Sequence, residues 1–168
     1  QNNGGLFVAE VDFATGHCTQ YAVKDRAAST FPTASLRSRR TGALYIGSAW
    51  DAHLHRFDPA HPERGVEDLG KIDPDEAIFP TGITEAADGM IFLGTCNGAR
   101  LVRFNPATGA FTRFGRMDAT DNYLYPLAGD EGSLAALVKV VRPHLVVIDP
   151  QTGEHREVGP AITDTTDK

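Results

Sequence analysis

The sequence predicts an all-β chain: a partial β-propeller of about three and a half four-stranded antiparallel blades, part of a seven-bladed ring. Three observations predict it. First, an apolar strand runs four times into a similar turn: Val11-Asp12-Phe13-Ala14-Thr15-Gly16, Phe57-Asp58-Pro59-Ala60, Phe104-Asn105-Pro106-Ala107-Thr108-Gly109 and Ile148-Asp149-Pro150-Gln151-Thr152-Gly153. The anchors at 11, 57, 104 and 148 are 46, 47 and 44 residues apart, which is the length of one blade. Second, Ala87-Asp88-Gly89, Asn97-Gly98 and Thr108-Gly109 divide the third repeat into four short strands, because Asp-Gly and Asn-Gly supply the positive φ that tight hairpins need. Third, no window sustains helical apolar spacing, whereas Leu44 to Ile46 and Leu101 to Phe104 run or alternate apolar, as strands do.

Strands are lettered A to D from the ring axis outward. Residues 1–25 form a half blade, since Gly4-Gly5-Leu6-Phe7 aligns with Gly98 to Leu101 and leaves room for C and D alone. Residues 26–72 form a blade with A from Phe31, B from Leu44 to Gly47, C from Leu54 to Phe57 and D from Val66 to Leu69. Residues 73–117 form the next, with strands Phe79 to Glu85, Met90 to Thr95, Arg100 to Phe104 and Phe111 to Gly115. Residues 118–160 form the last, with A from Tyr125, B from Leu134 to Val140, C from Leu145 to Ile148 and D from His155 to Val158. Residues 161–168 are a polar tail.

Blades cover their faces only against neighbours, so an open arc would leave an apolar face at each end. The expectation is that a complementary propeller segment or a second chain completes the ring, and a chain beginning at Gln1 reads as a piece of a longer polypeptide. A four-bladed ring with one defective blade is the alternative.

Composition narrows the function classes. A net charge of −6 argues against nucleic-acid binding, which relies on clustered Lys and Arg. The one basic run, Arg37-Ser38-Arg39-Arg40, falls in an A to B turn and reads as a solvated hairpin. No apolar run reaches the roughly 18 residues of a membrane-spanning helix. Cys18 and Cys96 are too few for a disulfide framework and lack zinc-type spacing, and their redox state stays open.

Function in a propeller comes from its loops. The B to C turns and D to A connections share one rim, and the Asp-Pro turns lie on the other. Four residues before each anchor stand Phe7, His53, Arg100 and His144, at the head of strand C on the first rim. Phe7 meets the needs of packing, so three polar residues at equivalent positions read either as a site or as ordinary loop residues. Trp50 and Asp51 flank the first, Asn97 the second and Arg142 the third. On the same rim each A strand opens with an aromatic and a proline, Phe31-Pro32, Phe79-Pro80 and Tyr125-Pro126, the last preceded by Tyr123. Proline fixes φ and extends the residue before it, which would bring these rings in alike.

The segments Gly94 to Gly109 and Tyr125-Pro126-Leu127 after Gly115-Arg116-Met117-Asp118 resemble repeats of seven-bladed polysaccharide lyases, the ulvan and rhamnose-glucuronate lyases. The resemblance implies β-elimination on a uronate-containing glycan, in a secreted or periplasmic protein. Arg100 or Arg142 would neutralise the uronate carboxylate, and His144 or His53 would take the C5 proton. Tyr125 or Tyr123 would protonate the leaving oxygen, while Asp51, Asn97 and Trp50 would hold the sugar. A non-catalytic propeller binding a carbohydrate or a protein on the same rim is the competing class. A structural calcium or other metal on the axis is a further candidate, although Asp12, Asp58 and Asp149 lie on the turn rim and Glu85 and Glu131 near A to B turns. A zinc shared by His53 and His144 would need a third ligand from elsewhere.

Overall fold

The computed structural model describes residues 5–23, 31–50, 52–74, 79–128 and 132–159. Fourteen strands form four sheets among them. β1 (Phe7–Val11) and β2 (Cys18–Ala22) make a two-stranded sheet, the half blade. β3 (Pro32–Arg37), β4 (Leu44–Ser48), β5 (His53–Phe57) and β6 (Val66–Lys71) make the second blade. The third is β7 (Phe79–Glu85), β8 (Ile91–Cys96), β9 (Arg100–Asn105) and β10 (Ala110–Arg116). The fourth is β11 (Tyr123–Ala128), β12 (Leu134–Lys139), β13 (His144–Ile148) and β14 (His155–Val158). All pairings within blades are antiparallel and run in chain order, so the chain is a partial β-propeller.

The recurrent turn owes its shape to side chains that cap their own backbone. Asp12, Asp58, Asn105 and Asp149 each accept a hydrogen bond from the N–H two residues on, at 2.7–3.0 Å. The backbone bonds released where a strand ends are thereby met locally. The Asp-Pro turn is therefore structural, and its glycines at 16, 109 and 153 adopt φ of 72 to 77°.

Three cores lie between successive blades. Leu6, Ile46, Phe57 and Val66 fill the first joint, Tyr45, Leu54, Ile91, Leu93 and Phe104 the second, and Phe92, Leu101, Leu124, Ala136, Val146 and Ile148 the third. Each fully buried Leu, Ile or Phe side chain contributes about 1.5–3 kcal/mol. Every residue of β8 is buried, because it has a neighbouring blade on both faces.

Register corrects one sequence expectation. Pro32 pairs with Ser48 and Pro80 with Thr95, but at the equivalent place in the fourth blade Leu124 pairs with Val138. β3 and β7 each carry an extra residue, at Thr33 and Thr81, and β11 does not. The residue equivalent to Phe31 and Phe79 is therefore Tyr123, and Tyr125-Pro126 lies two residues deeper. A bulge moves one strand by a residue relative to its partner, which alignment on the Pro hides.

Candidate functional site

The first rim carries a continuous arc of aromatic rings. Phe31 meets Trp50 at 5.8 Å between centroids, Trp50 meets Phe79 at 6.4 Å, Phe79 meets Tyr123 at 6.2 Å and Tyr123 stacks on Tyr125 at 6.4 Å. The first three contacts are edge-on, at 76°, 87° and 65°, the arrangement favoured by ring quadrupoles. The arc spans the inner ends of three blades. Trp50 is 67% exposed and holds φ at 67° in the turn between β4 and β5. A left-handed backbone at a bulky residue costs about 1–2 kcal/mol, a strain that concentrates at functional positions. Val140 and Val141, both exposed, extend the apolar surface in the turn between β12 and β13.

The polar trio sits where the repeat predicts, at the head of strand C, but its members turn to separate carboxylates. His53 Nδ1 donates to Asp68 on β6, at 2.8 Å. Arg100 Nη1 lies 3.5 Å from the buried Asp73. His144, itself buried, donates from Nδ1 to the Arg142 carbonyl at 2.6 Å and has Nε2 3.4 Å from Asp118. Register makes Lys71 and Arg116 equivalent, through their pairing with His53 and Arg100, so Asp73 and Asp118 are equivalent too. Each lies in the connection entering a blade and holds the head of that blade's strand C. Sequence reasoning missed both carboxylates, although Ile72-Asp73 and Met117-Asp118 stand at matching distances beyond their D strands.

Arg142 is also engaged, forming a two-pronged pair with Glu157 at 2.8 and 2.6 Å. Glu157 holds the Arg142 guanidinium above its ordinary pKa, and the guanidinium in turn holds Glu157 below the usual carboxylate range. The backbone N–H groups of Val141 and Arg142 both donate to the buried carboxylate of Asp121, at 2.7 and 2.9 Å, which fixes this turn beside the arc. Asn97 is exposed, and its amide oxygen accepts a hydrogen bond from the Cys96 thiol at 3.1 Å. Cys96 also pushes the Tyr123 phenol above its ordinary pKa, first by a hydrogen bond and then by charge. Asp51 and Glu131 lie outside the described residues.

Partial burial pushes the Asp118 carboxyl up, but hydrogen bonds from the Asp121 and Thr120 N–H groups, with the charge of His144, outweigh it and hold the group low. Asp68 is likewise pushed up by burial and held low by His53 and the Gly70 N–H. A second line of groups, Ser48, His55 and Asp68, has the order nucleophile, base, carboxylate, with Ser48 Oγ 3.0 Å from His55 Nε2 and His55 Nδ1 4.0 Å from Asp68. Ser48 and His55 are fully buried, so this line lies inside the blade and braces β4 against β5.

No group of three or more His, Cys, Asp or Glu side chains able to hold a metal occurs among the described residues. Cys18 is exposed and Cys96 buried, and both are free thiols. Three concave grooves among the described residues open on the opposite rim, one of them lined by Ser38, Tyr45, Glu85, Met90 and Pro106. There the Glu85 carboxylate is already bonded to Ser38 Oγ and the Arg39 N–H, across the joint of two blades.

No family model and no curated protein matches this sequence. Solved structures do. Virginiamycin B lyase from Staphylococcus aureus superposes with a TM-score of 0.71 at 18% identity, over 94% of this chain and 49% of that one. A streptogramin B lyase superposes at 0.67 and 15% identity, over 93% of this chain and 48% of that one. A chain of a nidogen–laminin complex gives 0.63 at 11% identity, over 95% and 59%. At these identities the likeness concerns the fold. The chain spans about half the length of the two lyases it matches.

Proposed function

We propose that the rim carrying Phe31, Trp50, Phe79, Tyr123 and Tyr125 is a polysaccharide-binding face. One observation carries the reading: Trp50, two-thirds exposed, is held in a strained backbone conformation between two other rings. An exposed Trp in a contiguous apolar arc signals a contact surface, and flat rings offer the C–H faces of sugars a rigid, low-entropy platform. A polymer laid along the arc meets three blades at once. Such a protein works where the polymer is, outside the cell or in the periplasm. Protein partners are the other outcome of the same surface, and the nidogen–laminin likeness is of that type. Affinity electrophoresis of the chain and its Trp50→Ala variant through gels containing neutral or uronate polysaccharides tests the proposal. Retardation of the native chain and a clear reduction of it in the variant is expected; no retardation by any glycan overturns it.

Turnover by β-elimination is the second reading, and Tyr123 favours it. Its phenol lies on the arc between Phe79 and Tyr125 and carries a proton at neutral pH that a leaving oxygen could take, although the contact with Cys96 makes it a weaker acid than a free tyrosine. Against turnover stand the pairings of Arg100, Arg142, His53 and His144 with carboxylates of the chain itself. Appearance of an ultraviolet-absorbing unsaturated product from a uronate glycan, lost in Tyr123→Phe, supports elimination. Binding without product leaves the face a non-catalytic one.

A further inference from the structure

The outward face of the fourth blade differs from the faces buried inside the arc, and the difference specifies its partner. Leu127 and Leu145 on it are 51% and 41% exposed, and Ala135, Leu137 and Val147 are half-buried. The equivalent surface of the third blade, with Phe92, Gly94 and Leu101, is covered by β11 of the fourth. At both inner joints a glycine of strand B lies beneath strand A of the next blade. A Cβ at Gly47 would overlap the Pro80 ring, and one at Gly94 would overlap the Leu124 carbonyl. At both joints the bulged threonine also reaches across. Thr33 Oγ1 donates to the Pro80 carbonyl at 2.7 Å, and Thr81 Oγ1 donates to the Leu124 carbonyl.

The fourth blade keeps neither device. Leu137 stands at the position of Gly47 and Gly94, since it pairs with Leu145 as they pair with Leu54 and Leu101. β11 has no bulge, and Tyr125 faces Leu137 where Ala34 faces Gly47. Val147 replaces Arg103, which donates across the inner joint to the Pro150 carbonyl at 3.0 Å.

We infer that this face docks a further four-stranded blade whose innermost strand stands off from Leu137 and meets it with small side chains. A blade of the kind repeated inside this chain is excluded, because its Pro or carbonyl would occupy the volume of the Leu137 side chain. A second copy of the chain does not fit either. Among the described residues, the surface it would offer head to tail is the half blade β1–β2, whose two strands take the outer C and D places and do not reach Leu127 and Leu137. The inference is independent of what the rim binds.

The test uses the full chain as Leu145→Cys in a Cys18→Ser background, with Cys96 buried, and reads maleimide reactivity together with mass by light scattering. The chain alone is expected to be monomeric and reactive. A duplicate of residues 73–117 fused after residue 168 should leave the thiol reactive while Leu137 is present. With Leu137→Gly the thiol should become about tenfold slower to react, as docked surface does. A protected thiol in a dimer of the unfused chain would show that a second copy is the occupant. Equal protection with Leu137 in place would show that Leu137 selects nothing. Reactivity in both fusions would show that Leu137 is not what bars a blade of the inner kind. Each of these three results overturns the inference.

Discussion

At the residue scale the repeat located positions correctly and left their partners unnamed. Phe7, His53, Arg100 and His144 do share one place in the blade, yet the three polar members reach three different carboxylates, Asp68, Asp73 and Asp118. Those pairings join strand C to the outer strand or to the connection entering the blade, so they hold the arc together whatever the rim binds. Acid sensitivity follows with a definite sign. The folded-state pKa values of Asp68 and Asp118 are depressed, so their contribution is complete above the unfolded value of about 3.9 and is lost as pH falls through the folded values. Asp118→Asn should flatten the acid limb of a stability-versus-pH curve, measured by urea unfolding between neutrality and the acid range; an unchanged limb would remove Asp118 from this role. Trp50→Ala should leave the urea midpoint nearly unmoved, because the ring is mostly in water, while weakening glycan binding by about 1 kcal/mol, roughly fivefold in Kd by titration calorimetry.

At the element scale the strand and turn boundaries were legible because their causes are local. Asp and Asn capping of the turn after strand C, and Gly at positive φ, act within a few residues. The close approach of strands A and B across blades was not legible. Gly94 looks like any glycine in a strand until Leu124 of the next blade is placed on it. Two substitutions separate the two kinds of glycine. Gly94→Ala should cost about 1–3 kcal/mol through overlap with backbone that cannot withdraw. Gly109→Asn, in a turn with open space around it, should cost little, since Asn accepts the left-handed conformation. Comparable losses in urea midpoint for both would show that packing at Gly94 is not the constraint. The bulges at Thr33 and Thr81 were equally hidden, and with them the equivalence of Tyr123 to Phe31 and Phe79.

At the scale of the whole molecule, nearest-neighbour contacts predict a stability that rises from the end sheets of the arc to its middle. Repeat arrays gain stability from nearest-neighbour interfaces, and terminal repeats lack one. β8 is buried throughout, whereas four of the five residues of β1 are exposed. Amide hydrogen exchange should therefore release β1 and β2 first and β8 and β9 last. A uniform exchange rate across the blades would contradict nearest-neighbour stabilisation.

The sequence by itself determined the blade repeat, the number and order of strands, the structural turn and the rim on which aromatic and polar residues gather. All of these rest on local physics: the period-two side-chain alternation of strands, and turn chemistry confined to a few residues. The tertiary structure alone decided which aromatic is equivalent to which, that Trp50 is the most exposed ring of the arc, that the trio is tied to Asp68, Asp73 and Asp118, and that Leu137 ends the close-packed pattern. These depend on contacts between strands and between blades, some of them between residues more than 40 positions apart, and on register. One bulged residue shifts that register, and no local pattern records the shift.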